Sequence, residues 1–95
     1  MHVVKLSDSE IQAHLTDLPG WAVVENMLIK TYRFPDFVNA IKFVKALAVH
    51  AEKMQHHPDI DIRFNKVRLV LSTHSKGGLT DLDFSLAERI DTLSE

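Results

Sequence analysis

The 95-residue chain contains no cysteine, which excludes disulfide bonds, a thiol nucleophile and thiolate metal ligands. Its three glycines and three prolines are too few and too scattered to form a linker between domains. No run approaches the roughly 18 to 20 apolar residues of a spanning helix, and the first ten residues lack the apolar stretch of a signal peptide. We therefore expect one soluble, cytoplasmic domain over residues 1–95.

The charged residues favour neither sign strongly. Eleven Lys and Arg residues oppose thirteen Asp and Glu residues, for a net charge of −2 with neutral histidines, and the cations are spread along the chain. This distribution predicts neither a nucleic acid nor an anionic membrane as partner. Hydrophobic residues at 45% and charged residues at 25% are typical of a globular protein with one core.

Hydrophobic periodicity and helix caps predict seven elements in the order α-β-β-α-β-β-α. The spacing of Ser7 and Glu10, and that of Thr80 and Asp83, is typical of capping boxes at helix starts. Pro58 disfavours a helical conformation at the residue before it and so helps to end the long helix. The predicted helices span 8–17, 36–54 and 80–94, and the predicted strands span 21–25, 27–34, 60–64 and 67–74.

The last two strands are predicted to form a hairpin with Asn65 and Lys66 as its two-residue loop. In that register Ile62 faces Leu69, and apolar residues meet apolar residues along the whole pair. Counting the register outward places His57 opposite His74. Directly opposed residues have Cβ atoms roughly 4.5 to 5.5 Å apart, so these two histidines are expected to lie close together.

Three histidines therefore converge in the predicted fold: His56, His57 and His74. An imidazole can give and take a proton near neutral pH, which suits general acid-base chemistry. Glu52 lies one turn before His56 and can orient an imidazole or hold a substrate amine. Two alternatives stay open at this point. His57 and His74, with either Glu52 or His56, could supply three ligands for zinc. Alternatively, each histidine could be an ordinary surface residue, the interpretation given to His2, His14 and His50.

Five segments resemble the pterin-4a-carbinolamine dehydratase family: LPGW at 18–21, AEKMQHHP at 51–58, NKV at 65–67, LSTH at 71–74 and GLTDLDFSLA at 78–87. The resemblance implies a small α+β fold with three helices packed on one face of a four-stranded antiparallel sheet, assembled as a homodimer or homotetramer. It also implies dehydration of 4a-hydroxytetrahydrobiopterin to quinonoid dihydropterin, a step in tetrahydrobiopterin recycling that uses no metal and no other cofactor.

The same resemblance assigns roles to residues by position. His56, His57 and His74 match the catalytic histidines of the family, with the division between acid and base left open. Three positions depart from the family pattern: Gln55, Ile60 and Leu82 stand where an acid, an aromatic residue and, in the animal proteins, an arginine are familiar. The implied substrate-binding residues are Glu52, His56, His57, Pro58, Thr73, His74, Ser75 and Lys76.

Animal members of the family also act as dimerisation cofactors of a transcription factor. The resemblance therefore carries an alternative function, a non-catalytic protein-binding module of the same fold. Such a module would act through a sheet edge or through the long apolar helix, which a monomer leaves partly uncovered.

Overall fold

A computed structural model describes residues 3–94 of the chain, so that His2 lies outside the described residues. The predicted element order is confirmed, and a short 3-10 turn is added before the last helix. The elements are α1 (Asp8–Leu15), β1 (Ala22–Val24), β2 (Met27–Arg33), α2 (Phe37–Met54), β3 (Asp59–Arg63), β4 (Lys66–Leu71), the 3-10 turn (His74–Lys76) and α3 (Asp81–Leu93).

The four strands form one antiparallel sheet in the order β1-β2-β4-β3. Glu25 and Asn26 connect β1 to β2, and both have positive φ angles, 49° and 65°. Two left-handed residues are what a type I′ turn requires, and its twist matches that of the strands it joins. The predicted pairing of the first two strands around Asn26 is therefore confirmed.

The predicted register of the second hairpin is wrong by two positions. Ile62 faces Val67 rather than Leu69, and the connecting residues are Phe64 and Asn65. Phe64 adopts a left-handed φ of 53° with its side chain largely exposed. A shift of two residues keeps every side chain on its face of the sheet, so hydrophobic alternation could not distinguish the two registers.

Asn65 is held in this turn by the strand beside it. Its side-chain amide donates to the Phe34 carbonyl at 2.8 Å, and its own carbonyl accepts from the Phe34 N–H at 2.9 Å. Continued by two residues, the observed register places His57 opposite Ser72, which contradicts the predicted facing of His57 and His74. The last strand also ends at Leu71, three residues earlier than predicted.

Both predicted capping boxes are present, at Ser7 with Glu10 and at Thr80 with Asp83. The helices cover one face of the sheet. On that face Leu28, Val67, Leu69 and Leu71 are fully buried, whereas on the other face Thr31, Arg33, Lys66 and Arg68 are exposed. Among residues 3–94, no helix has both the length and the apolar character needed to cross a membrane. The core includes Leu28, Val67, Leu69 and Leu71 from the sheet, Phe43 and Leu47 from α2, and Phe84, Leu86 and Ile90 from α3.

Candidate active site

The end of α2 directs His56 into the protein. Gln55 takes a left-handed conformation, φ 51° and ψ 41°, which reverses the chain after Met54. The His56 N–H then donates to the Ala51 carbonyl at 3.1 Å, which satisfies one of the last carbonyls of the helix. As a result His56 is only 8% exposed, an unusual degree of burial for a histidine next to a helix terminus.

The partner of His56 is Asp83, which is fully buried on the first turn of α3. Asp83 Oδ1 lies 2.6 Å from His56 Nε2, while Oδ2 accepts from the Thr73 hydroxyl at 2.8 Å and from the Thr80 N–H at 2.9 Å. Both carboxylate oxygens are therefore hydrogen-bonded. This network joins the end of α2, the segment after β4 and the start of α3 at one point.

Asp83 is the residue that the sequence analysis missed as part of a site, because it was interpreted only as a helix cap. A signal was present: in the series Leu79, Asp83, Leu86, Ile90 the acid occupies an inward-facing position of an apolar helix stripe. An acid at such a position must be paired, since an unpaired buried charge is strongly destabilising.

Glu52 orients a different histidine from the one expected. Its Oε2 lies 2.5 Å from Nε2 of His57, while His56 is held by Asp83. The cause is the end of the helix at Met54, since the i, i+4 geometry that would join Glu52 to His56 requires the helix to continue. The His57 and Glu52 side chains remain 56% and 71% exposed, so this pair is open to a ligand.

His74 begins the 3-10 turn directly after Thr73, and its side chain is exposed. The turn is closed by a bridge between Thr73 and Gly78, in which the Thr73 N–H donates to the Gly78 carbonyl at 3.0 Å. Ser75 and Lys76 in the same turn are also exposed. Because Thr73 is hydrogen-bonded to Asp83, the segment that carries His74 is fastened to the segment that carries His56 and His57.

The predicted residues thus fall into two sets. His56 and Thr73 are buried and connected through Asp83, whereas Glu52, His57 and His74 are exposed and each lies within four residues of one of them. Pro58 is half-buried just before β3. Among residues 3–94, no three His, Cys, Asp or Glu side chains are grouped in a way that could hold a metal ion.

Two other histidines lie elsewhere in the structure. The His14 ring stacks on Phe84 with ring centroids 4.7 Å apart, and its Nε2 lies 3.4 Å from Asp81. His50 is half-buried on α2. The ring stacking on Phe84 and the contact with Asp81 are those of a residue with a structural role.

Comparison with known proteins gives a consistent result over nearly the whole chain. Residues 4–93 match the family model described as Pterin 4 alpha carbinolamine dehydratase. A relative from Roseiflexus sp. (strain RS-1), named "Putative pterin-4-alpha-carbinolamine dehydratase", is 52% identical over 89 residues, which is 94% of this chain and 96% of the relative.

Two solved structures share the fold. The crystal structure of a transcriptional coactivator/pterin dehydratase from Brucella melitensis superposes with a TM-score of 0.93 at 33% identity, covering 96% of this chain and 99% of that chain. A pterin dehydratase-like protein, a RuBisCO assembly factor in the alpha-carboxysome, gives a TM-score of 0.64 at 25% identity and covers 78% of this chain and 86% of its own. The family model and the near full-length identity together establish that this chain belongs to the pterin 4 alpha carbinolamine dehydratase family.

Proposed function

We propose that this protein dehydrates 4a-hydroxytetrahydrobiopterin to quinonoid dihydropterin and water, in the recycling of tetrahydrobiopterin. The observation that carries the proposal is the pairing of two adjacent histidines with two different carboxylates, one buried and one exposed. His56 is fixed by Asp83 in the interior, and His57 is oriented by Glu52 at the surface. Family membership and the name of the Roseiflexus relative support the same reaction class.

The reaction needs only proton transfers. The lone pair on N5 of the pterin forms a double bond to C4a as the C4a–O bond breaks, and the departing oxygen takes up a proton to leave as water. A ring nitrogen loses a proton to complete the quinonoid product. Atoms and electrons balance without an oxidant or reductant, so the side chains have to supply an acid, a base and a fixed orientation of the ring.

His56 acts as a positioning residue in this mechanism. Asp83 Oδ2 already accepts the Thr73 hydroxyl and the Thr80 N–H, and a carboxylate in this role is an acceptor only. The His56 Nε2–H therefore donates to Asp83 Oδ1, and Nδ1 is the nitrogen left for other partners. The buried pair sets the backbone position of His57, its neighbour in the chain.

His57 and His74 are the residues that contact the substrate and exchange protons with it. Glu52 accepts from Nε2 of His57 and so fixes the orientation of that ring, which delivers a proton to the leaving hydroxyl. His74, on the 3-10 turn, removes the ring proton. Together with Pro58, the turn residues Thr73, Ser75 and Lys76 border the bound pterin. Positioned acid-base groups of this kind accelerate reactions by roughly 10² to 10⁴-fold.

The proposal includes self-association as a homodimer or homotetramer in the cytoplasm. The edge strands β1 and β3 offer backbone hydrogen-bonding groups to another chain. The helix α2 exposes Phe37, Val38, Ile41 and Val49, between 39% and 60% each, on one chain. Sedimentation equilibrium measures the assembly directly, and a monomer at all concentrations would remove this part of the proposal.

The same exposed apolar residues of α2 favour a second candidate function, a non-catalytic protein-binding module. The two solved relatives are described as a transcriptional coactivator/pterin dehydratase and as a RuBisCO assembly factor, roles that belong to those proteins. Cellular complementation distinguishes the two functions. The module predicts that Ile41→Glu abolishes function while His74→Ala preserves it, and the dehydratase predicts loss with His74→Ala.

A turnover assay tests the dehydratase directly. Purified protein added to freshly generated 4a-hydroxytetrahydrobiopterin is expected to accelerate loss of the carbinolamine by roughly 10² to 10⁴-fold over buffer at neutral pH. A parallel sample treated with a metal chelator should retain the full rate. A rate equal to that of buffer rejects the dehydratase, and a rate abolished by the chelator would favour the zinc site left open by the sequence.

A further inference from the structure

The face of the sheet that points away from the helices carries a row of cations. Lys66 on β4 is paired with Arg33 on β2 and, on its other side, with Arg63 on β3. All three residues are exposed. Directly paired residues on adjacent strands have Cβ atoms roughly 4.5 to 5.5 Å apart, so three positive charges occupy one line across the sheet.

The next row on the same face extends this cationic surface. Arg68 on β4 lies between Thr31 on β2 and Asp61 on β3. A shallow hollow of about 180 Å³ lies between the two rows and is lined by Thr31, Asp61, Arg63, Lys66 and Arg68. A hollow of this size accommodates one phosphate group together with its ordered water.

Like charges in direct cross-strand pairs destabilise a sheet, so the arrangement of Arg33, Lys66 and Arg63 calls for an explanation. Protection of sheet edges against aggregation is the usual reason for lysine on a strand. That reason applies to Arg63 on the edge strand β3, but not to Arg33 or Lys66, because β2 and β4 are the central strands of the sheet. An overall excess of basic residues does not explain the row of cations either, because the chain has a net charge of −2.

Carboxylates of the chain neutralise only part of the positive charge on this surface. Asp61 Oδ1 lies 3.4 Å from Arg63 Nε, a contact between two exposed side chains. Within residues 3–94, no carboxylate lies within 4.0 Å of the charged groups of Arg33, Lys66 or Arg68. Three cations on one small surface are therefore left to an external anion.

We propose that this surface, defined by Arg33, Arg63, Lys66, Arg68 and Thr31, binds a phosphate group. Arginine matches phosphate with two parallel N–H donors, and lysine contributes a point charge. The Thr31 hydroxyl is the neutral donor at the rim of the hollow. Bound phosphate would relieve the repulsion within the cationic row, so that binding and stability are linked.

The surface is separate from the histidines. It lies on the helix-free face near the turn between β3 and β4, whereas Thr73 and His74 lie beyond the opposite end of β4. Thr73 is seven positions along the chain from Lys66, which corresponds to about 23 Å of extended chain. Changes at Lys66 or Arg68 are therefore expected to leave pterin turnover unchanged.

Titration of the full chain with inorganic phosphate, followed by amide NMR shifts and calorimetry at constant ionic strength in chloride, tests the proposal. Saturable shifts are expected at Thr31, Lys66 and Arg68. The affinity should fall by roughly tenfold in Lys66→Gln and in Arg68→Gln, since each removes a charge-assisted contact. The exposed Lys42→Gln on α2 is the matched control and should bind phosphate as the wild type does.

The thermal midpoint provides a second readout. In phosphate-free buffer of low ionic strength, Lys66→Gln should have a higher thermal midpoint than the wild type, because one repulsive charge is removed. Added phosphate should raise the midpoint of the wild type more than that of Lys66→Gln, so that the two midpoints move closer together. Shifts that chloride reproduces, or equal phosphate affinity in wild type, Lys66→Gln and Arg68→Gln, would overturn the proposal. A short single-stranded DNA that binds while inorganic phosphate does not would also overturn it, since the surface would then require a polymer.

Discussion

Asp83→Asn is the substitution that separates the buried network from the rest of the fold. The change keeps the size and shape of a fully buried side chain and removes its charge. The asparagine oxygen can continue to accept from Thr73 and Thr80, and its amide then faces Nε2 of His56. His56 must give up the Nε2 proton to accept that amide, which places its remaining proton on Nδ1.

The expected loss in the free energy of unfolding follows from the three hydrogen bonds of Asp83, with His56, Thr73 and Thr80. Hydrogen bonds to a charged group contribute about 1.5 to 3 kcal/mol each and neutral ones about 1 kcal/mol, while the substitution also removes the cost of burying a charge. We expect Asp83→Asn to lower the free energy of unfolding by about 2 kcal/mol. Asp83→Ala leaves His56, Thr73 and Thr80 without their partner and should lower it by about 4 kcal/mol.

Urea denaturation measures both effects, and the turnover assay measures the consequence for chemistry. Because Asp83→Asn weakens the contact that sets the backbone position of His57, turnover is expected to fall by up to about 10²-fold while the protein stays folded. Asp81→Asn is the matched control, on the same first turn of α3 but with its side chain 76% exposed. The proposed role of Asp83 would be refuted if Asp83→Asn had the stability and turnover of the wild type. It would also be refuted if Asp81→Asn lost as much stability and turnover as Asp83→Asn.

Three further outcomes are expected. His57→Ala should lower turnover by roughly 10²-fold and change the free energy of unfolding by less than about 0.5 kcal/mol, because the side chain is exposed. His56→Ala should instead lower that free energy by about 3 to 5 kcal/mol in urea denaturation, since it leaves Asp83 buried without its partner; equal effects of the two substitutions would contradict the assigned roles. Burial, reinforced by the Asp91 carboxylate, raises the pKa of Tyr32 well above 10.0. The unfolded phenol therefore loses its proton first as pH rises past 10.0, and the free energy of unfolding should fall by up to about 1.4 kcal/mol per pH unit there. Since Tyr32 is the only tyrosine, an ultraviolet titration of the folded protein reads its ionisation alone, and a midpoint near 10.0 would contradict this account.

The helices and their caps could be predicted because their signals are local. Ser7 with Glu10, and Thr80 with Asp83, form capping boxes within four residues, and periodicity places the apolar face. The register of the β3–β4 hairpin depends on Asn65 contacting Phe34, a residue 31 positions away in the chain. No local pattern encodes such a contact, and the prediction of the hairpin loop was wrong by one residue at each end.

In the candidate site too, local features could be predicted from the sequence and long-range contacts could not. The residues themselves, His56, His57 and His74, could be identified from type and from the resemblance to a family. Their partners could not be assigned from spacing. The left-handed Gln55 ends the helix, so that Glu52 contacts His57 instead of His56. Asp83 reaches His56 across 27 positions of the chain, a contact that only the packing of α3 against α2 creates.

The central claim is that imidazoles from separate segments catalyse dehydration together. Its most direct test is the rate of 4a-hydroxytetrahydrobiopterin loss with wild type, His57→Ala, His74→Ala and, as a control, His14→Ala. We predict acceleration by wild type and His14→Ala, and loss of roughly 10²-fold or more in each of the other two variants. Wild-type rates in both His57→Ala and His74→Ala would contradict the account.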